Sequence, residues 1–418
     1  MPDPMSKIKA LVASLEQLRL HLGRKDLTVG NRALNAQLYF SLANACLRNR
    51  AVLLYGGMGA NKTTLINMLG ASFMGMRFDE VESLMISGHP EQTEEKMVGF
   101  FDPRQWSRND GGGVEVLWTP WARSRWKVIN EINRFPSGKQ NIFLEILQKR
   151  RIGYGGRVLE MGDTCYFATM NPDFSATYPL DEALMDRISA CVPALQPDML
   201  GSLALTERER DIRDLAEGLP RFDTSEFASL PSCVARLKLK TQVELAIVSL
   251  LRDFTLCERA PGYDKTQLSG AKPSRGLCAG CHYFNNPEAV CWQTDEGLSD
   301  RVRQDLRDYT RAMAFLTERD GDIEVLRAIA PYVIWHRVTP SRSALDRPPY
   351  YGARKLDYVC DLVEKSINRT LNERGEMNMI FSRAVDGEIP ARDAIKELSG
   401  YDDPIARLDY LPALERLI

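Results

Sequence analysis

Residues 51–64, AVLLYGGMGANKTT, run from an apolar stretch into glycines and end on Lys62, Thr63 and Thr64. The pattern predicts a short buried strand over Val52–Tyr55, a loop whose backbone amides turn inward, and a helix starting where Lys62 and Thr63 stand. The positive end of that helix would face an anion. Spacing of the form G-x-x-x-x-G-K-[ST] begins at Gly56, with Gly57, Gly59 and Ala60 inside the loop. Asn61 occupies the place of the last glycine. After glycine, asparagine best tolerates left-handed backbone angles, so the loop can still close. Lys62 is placed to reach the terminal phosphates of a nucleoside triphosphate, and Thr63, with Thr64 beside it, to hold Mg²⁺.

Two further apolar strands end in polar residues downstream. Trp126–Glu131 (WKVINE) brings Asn130 and Glu131 to a strand end, and such a strand is expected beside the first. Glu131 is the candidate for polarising the attacking water. Asn130 stands where an aspartate would face the metal; its amide can orient a metal-bound water but adds no negative charge. Tyr166–Pro172 (YFATMNP) is a third buried strand, and Asn171 is expected between the ends of the first two. Tyr178–Arg187 (YPLDEALMDR) reads as a loop entering a helix, with Arg187 a candidate arginine finger for a neighbouring subunit's nucleotide. Upstream, residues 5–24 have the spacing of an amphipathic helix, and a second helical stretch is expected from Val29-Gly30 to about Leu47.

In this order, GGMGANKTT, VINEINRFPSGKQNIFLEILQKRRIGYGG, FATMNP and TYPLDEALMDRI resemble the MoxR family of AAA+ ATPases over residues 29–195. The departures from the family pattern are Asn61 and Asn130. Residues 297–316 (GLSDRVRQDLRDYTRAMAFL) are similar to the family's sensor-2 helix, which puts Arg301 near the terminal phosphate; Arg275 in KPSRGL is the alternative. Glu324–Val338 resembles the helix closing the family's lid, and Lys355–Thr370 is amphipathic with no motif assigned.

The resemblance implies an α/β P-loop core, a parallel sheet between helices, followed by an all-α lid; the residues themselves add a cysteine-rich metal-binding insertion in that lid and a helical C-terminal extension beyond the family's usual end. The expected divisions are 1–28, a leading helix; 29–197, the core; 198–338, the lid with insertion 256–292; and 339–418, the extension. ATP and Mg²⁺ are the implied ligands, a homo-hexameric ring the implied assembly, and remodelling of a protein client the implied work. A separate von Willebrand A-type chain is the implied partner. Residues 121–125 and 150–158 are the segments expected to be exposed over a central pore.

Cys257, Cys278, Cys281 and Cys291 bracket a loop rich in Gly, Pro, Ser and Lys. Cys278-Ala-Gly-Cys281 is a knuckle that lets two thiolates meet one metal, and four thiolates suit Zn²⁺ or a [4Fe–4S] cluster. The C-A-G-C-H run also fits covalent haem attachment, which is set aside for a cytoplasmic chain. Cys46, Cys165, Cys191, Cys233 and Cys360 lie scattered in apolar segments and read as core fillers.

The chain has 418 residues, 44 % hydrophobic and 26 % charged, with a formal net charge of −2. These are ordinary values for a globular protein of several domains and argue against a general polyanion binder. No run is long enough to span a bilayer and Met1–Lys9 lacks a signal peptide's apolar stretch, so a cytoplasmic protein without a membrane is expected. Two other classes stay open. One is a nucleic-acid-translocating AAA+ motor, against which stand the few residues ahead of the core and the lack of a basic face. The other is an ATP-dependent switch or scaffold that hydrolyses slowly, suggested by Asn61 and Asn130.

Overall fold

In the computed structural model, the described residues are 4–18, 25–102, 115–172, 177–206, 212–255, 289–294, 297–346, 350–403 and 405–418. They form two compact units, Met1–Leu237 with Arg311–Arg319, and Lys238–Thr310 with Asp320–Ile418. The helix Arg301–Thr317 contributes to both.

The first unit is built on a five-stranded sheet. In sequence order its strands are β3 (Ala51–Tyr55), β4 (Met85–Ser87), β7 (Trp126–Asn130), β10 (Cys165–Met170) and β11 (Ala190–Pro193). Their spatial order is β11-β3-β10-β7-β4, and every pairing is parallel. A parallel sheet covered on both faces calls for nearly continuous apolar strands, and AVLLY and CYFATM supply them. Val52, Leu53, Leu54, Val128 and Phe167 are all buried, and Trp126 lies over Phe167 with ring centroids 4.4 Å apart.

β7 is not beside β3 as anticipated. β10 runs between them, with Met170 opposite Tyr55 and Ala168 opposite Ile129. The uncharged CYFATM segment suits the central position. β7 instead carries the buried Lys127, which needs carbonyl partners off the sheet. Those partners belong to the short helix α6 (Pro120–Arg123): Lys127 Nζ donates to Trp121 O at 2.6 Å and to Ala122 O at 2.8 Å.

A neutral amine has two N–H groups to give, and both are used here. Burial pushes the Lys127 ammonium down to about 7. An unfolded lysine stays charged to about pH 10.4, so between pH 7 and pH 10 the unfolded chain binds the extra proton and stability rises with pH. The expected slope is about 1.4 kcal/mol per pH unit from this residue. Denaturation of the native chain and of Lys127→Met at pH 7, 8 and 9 should show that increment in the native chain only.

The start of the chain differs from the single helical stretch expected after Val29. Strands β1 (Leu27–Val29) and β2 (Arg32–Leu34) form an antiparallel hairpin before α2 (Ala36–Ala45). Gly30 turns it with φ +59°, and a Cβ there would lie 1.8 Å from the Arg319 guanidinium. Asn35 then caps α2 by accepting Leu38 N at 2.8 Å. The preceding amphipathic helix α1 spans Pro4–Gln17 and buries Met5, Ile8, Leu11 and Leu15.

The second unit is helical. The helices Thr241–Thr255, Lys355–Asn372 and Gly375–Val385 surround Asp253, an acid 4 % exposed. Arg374 donates to both oxygens of this carboxylate, at 2.8 and 3.1 Å, and Ser366 Oγ donates at 2.6 Å. Arg374 also bonds Asp403 at 2.8 Å. Burial works against its charge, but Asp253 and then Asp403 outweigh that and hold its pKa above the ordinary arginine value. No helix among the described residues is long and apolar enough to cross a membrane.

Candidate functional site

The loop after β3 closes onto α3 (Lys62–Met74) with Asn61 in the left-handed region, φ 49° and ψ 25°. Asparagine therefore does the conformational work of the missing glycine. Gly59 has φ +77°, and a Cβ on Gly56 would stand 2.3 Å from Ala194 O, so no side chain fits there. Lys62 Nζ donates to Gly56 O at 2.5 Å and Gly57 O at 2.7 Å. Partial burial lowers its pKa, and the nearby Glu131 carboxylate works the other way.

The parallel strands bring their carboxyl ends to this loop, as ligand sites in open α/β sheets require. A cavity of about 320 Å³ lies there, lined by the loop from Met58 to Thr64 and by Asn130, Glu131, Thr169, Met170 and Asn171. The sites predicted on three separate strands thus share one cavity. Asn171 follows β10, between the ends of β3 and β7. Arg187 and Arg301 are not among the lining residues. Arg187 follows the short helix α8 (Glu182–Met185) and donates to Ala183 O at 2.6 Å. Buried Gln140 braces the loop ahead of it, donating to Phe135 O and Pro179 O and accepting from Asp181 N. Arg301 is exposed at the first turn of its helix, in the second unit. Arg275 lies outside the described residues.

Three contributors escaped the sequence reading. Thr169 Oγ1 donates to Asn130 Oδ1 at 2.7 Å and accepts Glu131 N at 2.9 Å. Its position two residues before Asn171, on the same face of a strand, could have revealed it. Arg134 donates to Glu131 Oε2 at 2.8 Å across a 3₁₀ turn; the i,i+3 spacing in EINR was the available signal. Ser87, paired in register with Asn130, lies 3.4 Å from its Nδ2, and nothing in its surrounding sequence marked it.

The donor set suits a magnesium nucleotide. Thr63 Oγ1 donates to Asn130 Oδ1 at 2.8 Å, so its oxygen lone pairs point away from the amide and stay available to a hard cation. Glu131 sits at φ 51°, a costly conformation for glutamate, and the tight fit of Gly88, where a Cβ would meet Glu131 O at 2.1 Å, holds that backbone in place.

A larger cavity, about 900 Å³, lies away from these groups, between the residues around α6 and the hairpin of β8 (Arg151–Tyr154) and β9 (Arg157–Glu160). Arg123, Arg125 and Arg157 are exposed there, but Trp121 is not: it is 2 % exposed, edge-on to Phe143, with Lys127 Nζ 4.8 Å from its ring centre. Trp121 packs into the core because it closes the pocket that holds the buried amine.

Of the predicted metal cysteines, Cys257, Cys278 and Cys281 lie outside the described residues. Cys291 is buried in the 3₁₀ turn Val290–Trp292. Among the described residues no group of three or more His, Cys, Asp or Glu side chains could hold a metal. Cys46, Cys165 and Cys191 are buried, as expected for core fillers, while Cys233 and Cys360 are only half-buried.

Residues 51–188 match the AAA domain of the dynein-related subfamily, so the fold and loop define an AAA+ ATPase domain. Over 60 residues the chain is 42 % identical to Chaperone MoxR1 of Mycobacterium tuberculosis (strain ATCC 25618 / H37Rv). That match spans 14 % of this chain and 16 % of the relative's length. The crystal structure of a candidate ATPase from Cytophaga hutchinsonii ATCC 33406 shares the fold, with a TM-score of 0.61 at 17 % identity over 87 % of this chain and 96 % of that one. Residues 51–188 thus form an AAA domain, and part of the chain is similar to a MoxR chaperone.

Proposed function

We propose that the protein hydrolyses ATP within a ring of identical subunits and uses the energy to remodel a protein client. The observation that carries this reading is the convergence of Lys62, Thr63, Asn130, Glu131 and Asn171 on one cavity at the carboxyl end of a parallel sheet. The name of the relative, a chaperone, supplies the kind of work.

Lys62 leaves the loop carbonyls for the terminal phosphates, and Thr63 with Asn130 holds Mg²⁺. Mg²⁺, when held by Thr63 and Asn130, would supply positive charge against the phosphates. Glu131 takes the proton of the attacking water, and Asn171 orients that water. Arg187 reaches a neighbouring subunit's nucleotide and Arg301 reports the phosphate to the lid. Six subunits and a separate von Willebrand A-type partner complete the proposal, with zinc on the four cysteines as a structural brace. The slower alternative, an ATP-dependent switch, draws on the uncharged Asn130 at the metal position.

The test is phosphate release and ATP binding by the purified chain beside Lys62→Ala, with particle mass measured with and without ATP. Turnover abolished by Lys62→Ala and an ATP-promoted oligomer are the expected results. Tight ATP binding without turnover would support the switch, and no ATP binding would overturn both. Zinc and iron assays on the same preparation test the cysteine site.

A further inference from the structure

An asparagine at the metal-facing position has a difficulty that an aspartate lacks: its two ends are different. With Oδ1 toward Thr63, the amide accepts the hydroxyl proton and Thr63 keeps its lone pairs for a cation. With Nδ2 there instead, the amide would donate to the Thr63 oxygen and compete for those lone pairs. Something must choose between the two orientations.

Thr63 and Ser87 cannot choose alone, because each hydroxyl can donate or accept. Thr169 can. It is 1 % exposed on the central strand, and its oxygen already receives the Glu131 backbone N–H at 2.9 Å. Its single proton then needs an acceptor, which it finds in Asn130 Oδ1 at 2.7 Å. Turning the amide over would present two donors to the Thr169 oxygen and leave its buried proton without that acceptor. The backbone N–H of Glu131 cannot reverse its polarity, so it sets the Thr169 hydroxyl, which sets the Asn130 amide, which leaves Thr63 open.

We propose that Thr169 is a positioning residue that holds the Asn130 amide in the orientation compatible with magnesium at Thr63, and so allows asparagine to stand where aspartate would need no such help. The proposal rests on the magnesium–nucleotide reading of the site.

The test reads binding, not turnover. A fluorescent ATP analogue is titrated with Mg²⁺ into the native chain, Thr169→Val, Thr169→Ser, Asn130→Asp and the double variant Asn130→Asp/Thr169→Val. Valine matches threonine in shape and removes the hydroxyl; thermal melts confirm folding, and serine restores the hydroxyl if valine fails to fold. The expected result is about a tenfold loss of apparent Mg²⁺ affinity in Thr169→Val. Thr169→Ser should behave as native. The valine change should cost little once Asn130 is aspartate, whose two oxygens are equivalent.

An unchanged Mg²⁺ affinity in Thr169→Val overturns the proposal. So does an equal loss in the Asn130→Asp background, which would mean that the hydroxyl acts on something other than amide orientation. A native chain that binds the analogue with no dependence on Mg²⁺ overturns the magnesium-site reading itself, which is a separate and recognisable result.

Discussion

Glu131→Gln is expected to stop turnover while leaving ATP binding intact. The substitution changes no shape: the glutamine Oε1 still accepts from Arg134, and the backbone N–H still meets Thr169. What disappears is a carboxylate able to take a proton. General-base catalysis contributes about 10²–10⁴-fold, so kcat should fall by that order. The analogue's affinity should stay within about twofold, because the proposal assigns the phosphate contacts to Lys62 and the loop amides. Phosphate release and analogue titration on one preparation make the comparison. Turnover within about tenfold of native would assign the proton transfer elsewhere and remove Glu131 from the chemistry.

The largest expected effect on stability lies in the second unit, at Asp253→Ala. Arg374 is 4 % exposed, and Asp253 carries its bidentate partner contact. Removing the carboxylate leaves a buried guanidinium with Asp403 as its named carboxylate contact, and strands the Ser366 hydroxyl donor as well. Breaking a buried pair from one side costs about 3–5 kcal/mol. Because the chain has two units, one global midpoint would blur the effect. Hydrogen exchange resolved to the helices Lys355–Asn372 and Gly375–Val385 reads it where it acts. Protection there should fall by about two to three orders of magnitude. A change under about tenfold would show that Asp403 and solvent suffice for Arg374.

The two effects also differ in how visible their residues were. Lys62, Thr63, Glu131 and Asn171 lie in short segments whose chemistry demands their order: an apolar strand, then a polar end. The helix Lys355–Asn372 was likewise legible, because an amphipathic face repeats locally, while Arg301–Thr317 and Ile323–Ile334 were read from the family resemblance. Asp253 and Arg374 are far apart in sequence, and neither segment advertises the other. Trp121 misled for a related reason: a tryptophan beside arginines looks exposed until it is found packed over the buried Lys127 amine.

The hairpin before α2 went unread because three-residue strands carry almost no periodicity, and the decisive feature was the space Gly30 leaves for Arg319. β10 took the place between β3 and β7 for a reason no local pattern contains, since strand order is chosen by which crossovers and faces pack together. The sequence by itself determined the class of domain, because phosphate chemistry requires particular residues at fixed spacing along a chain. Only the tertiary structure decided what surrounds the Asn130 amide, because a side chain is oriented by its neighbours in space, and Thr169, Thr63 and Ser87 arrive on three different elements.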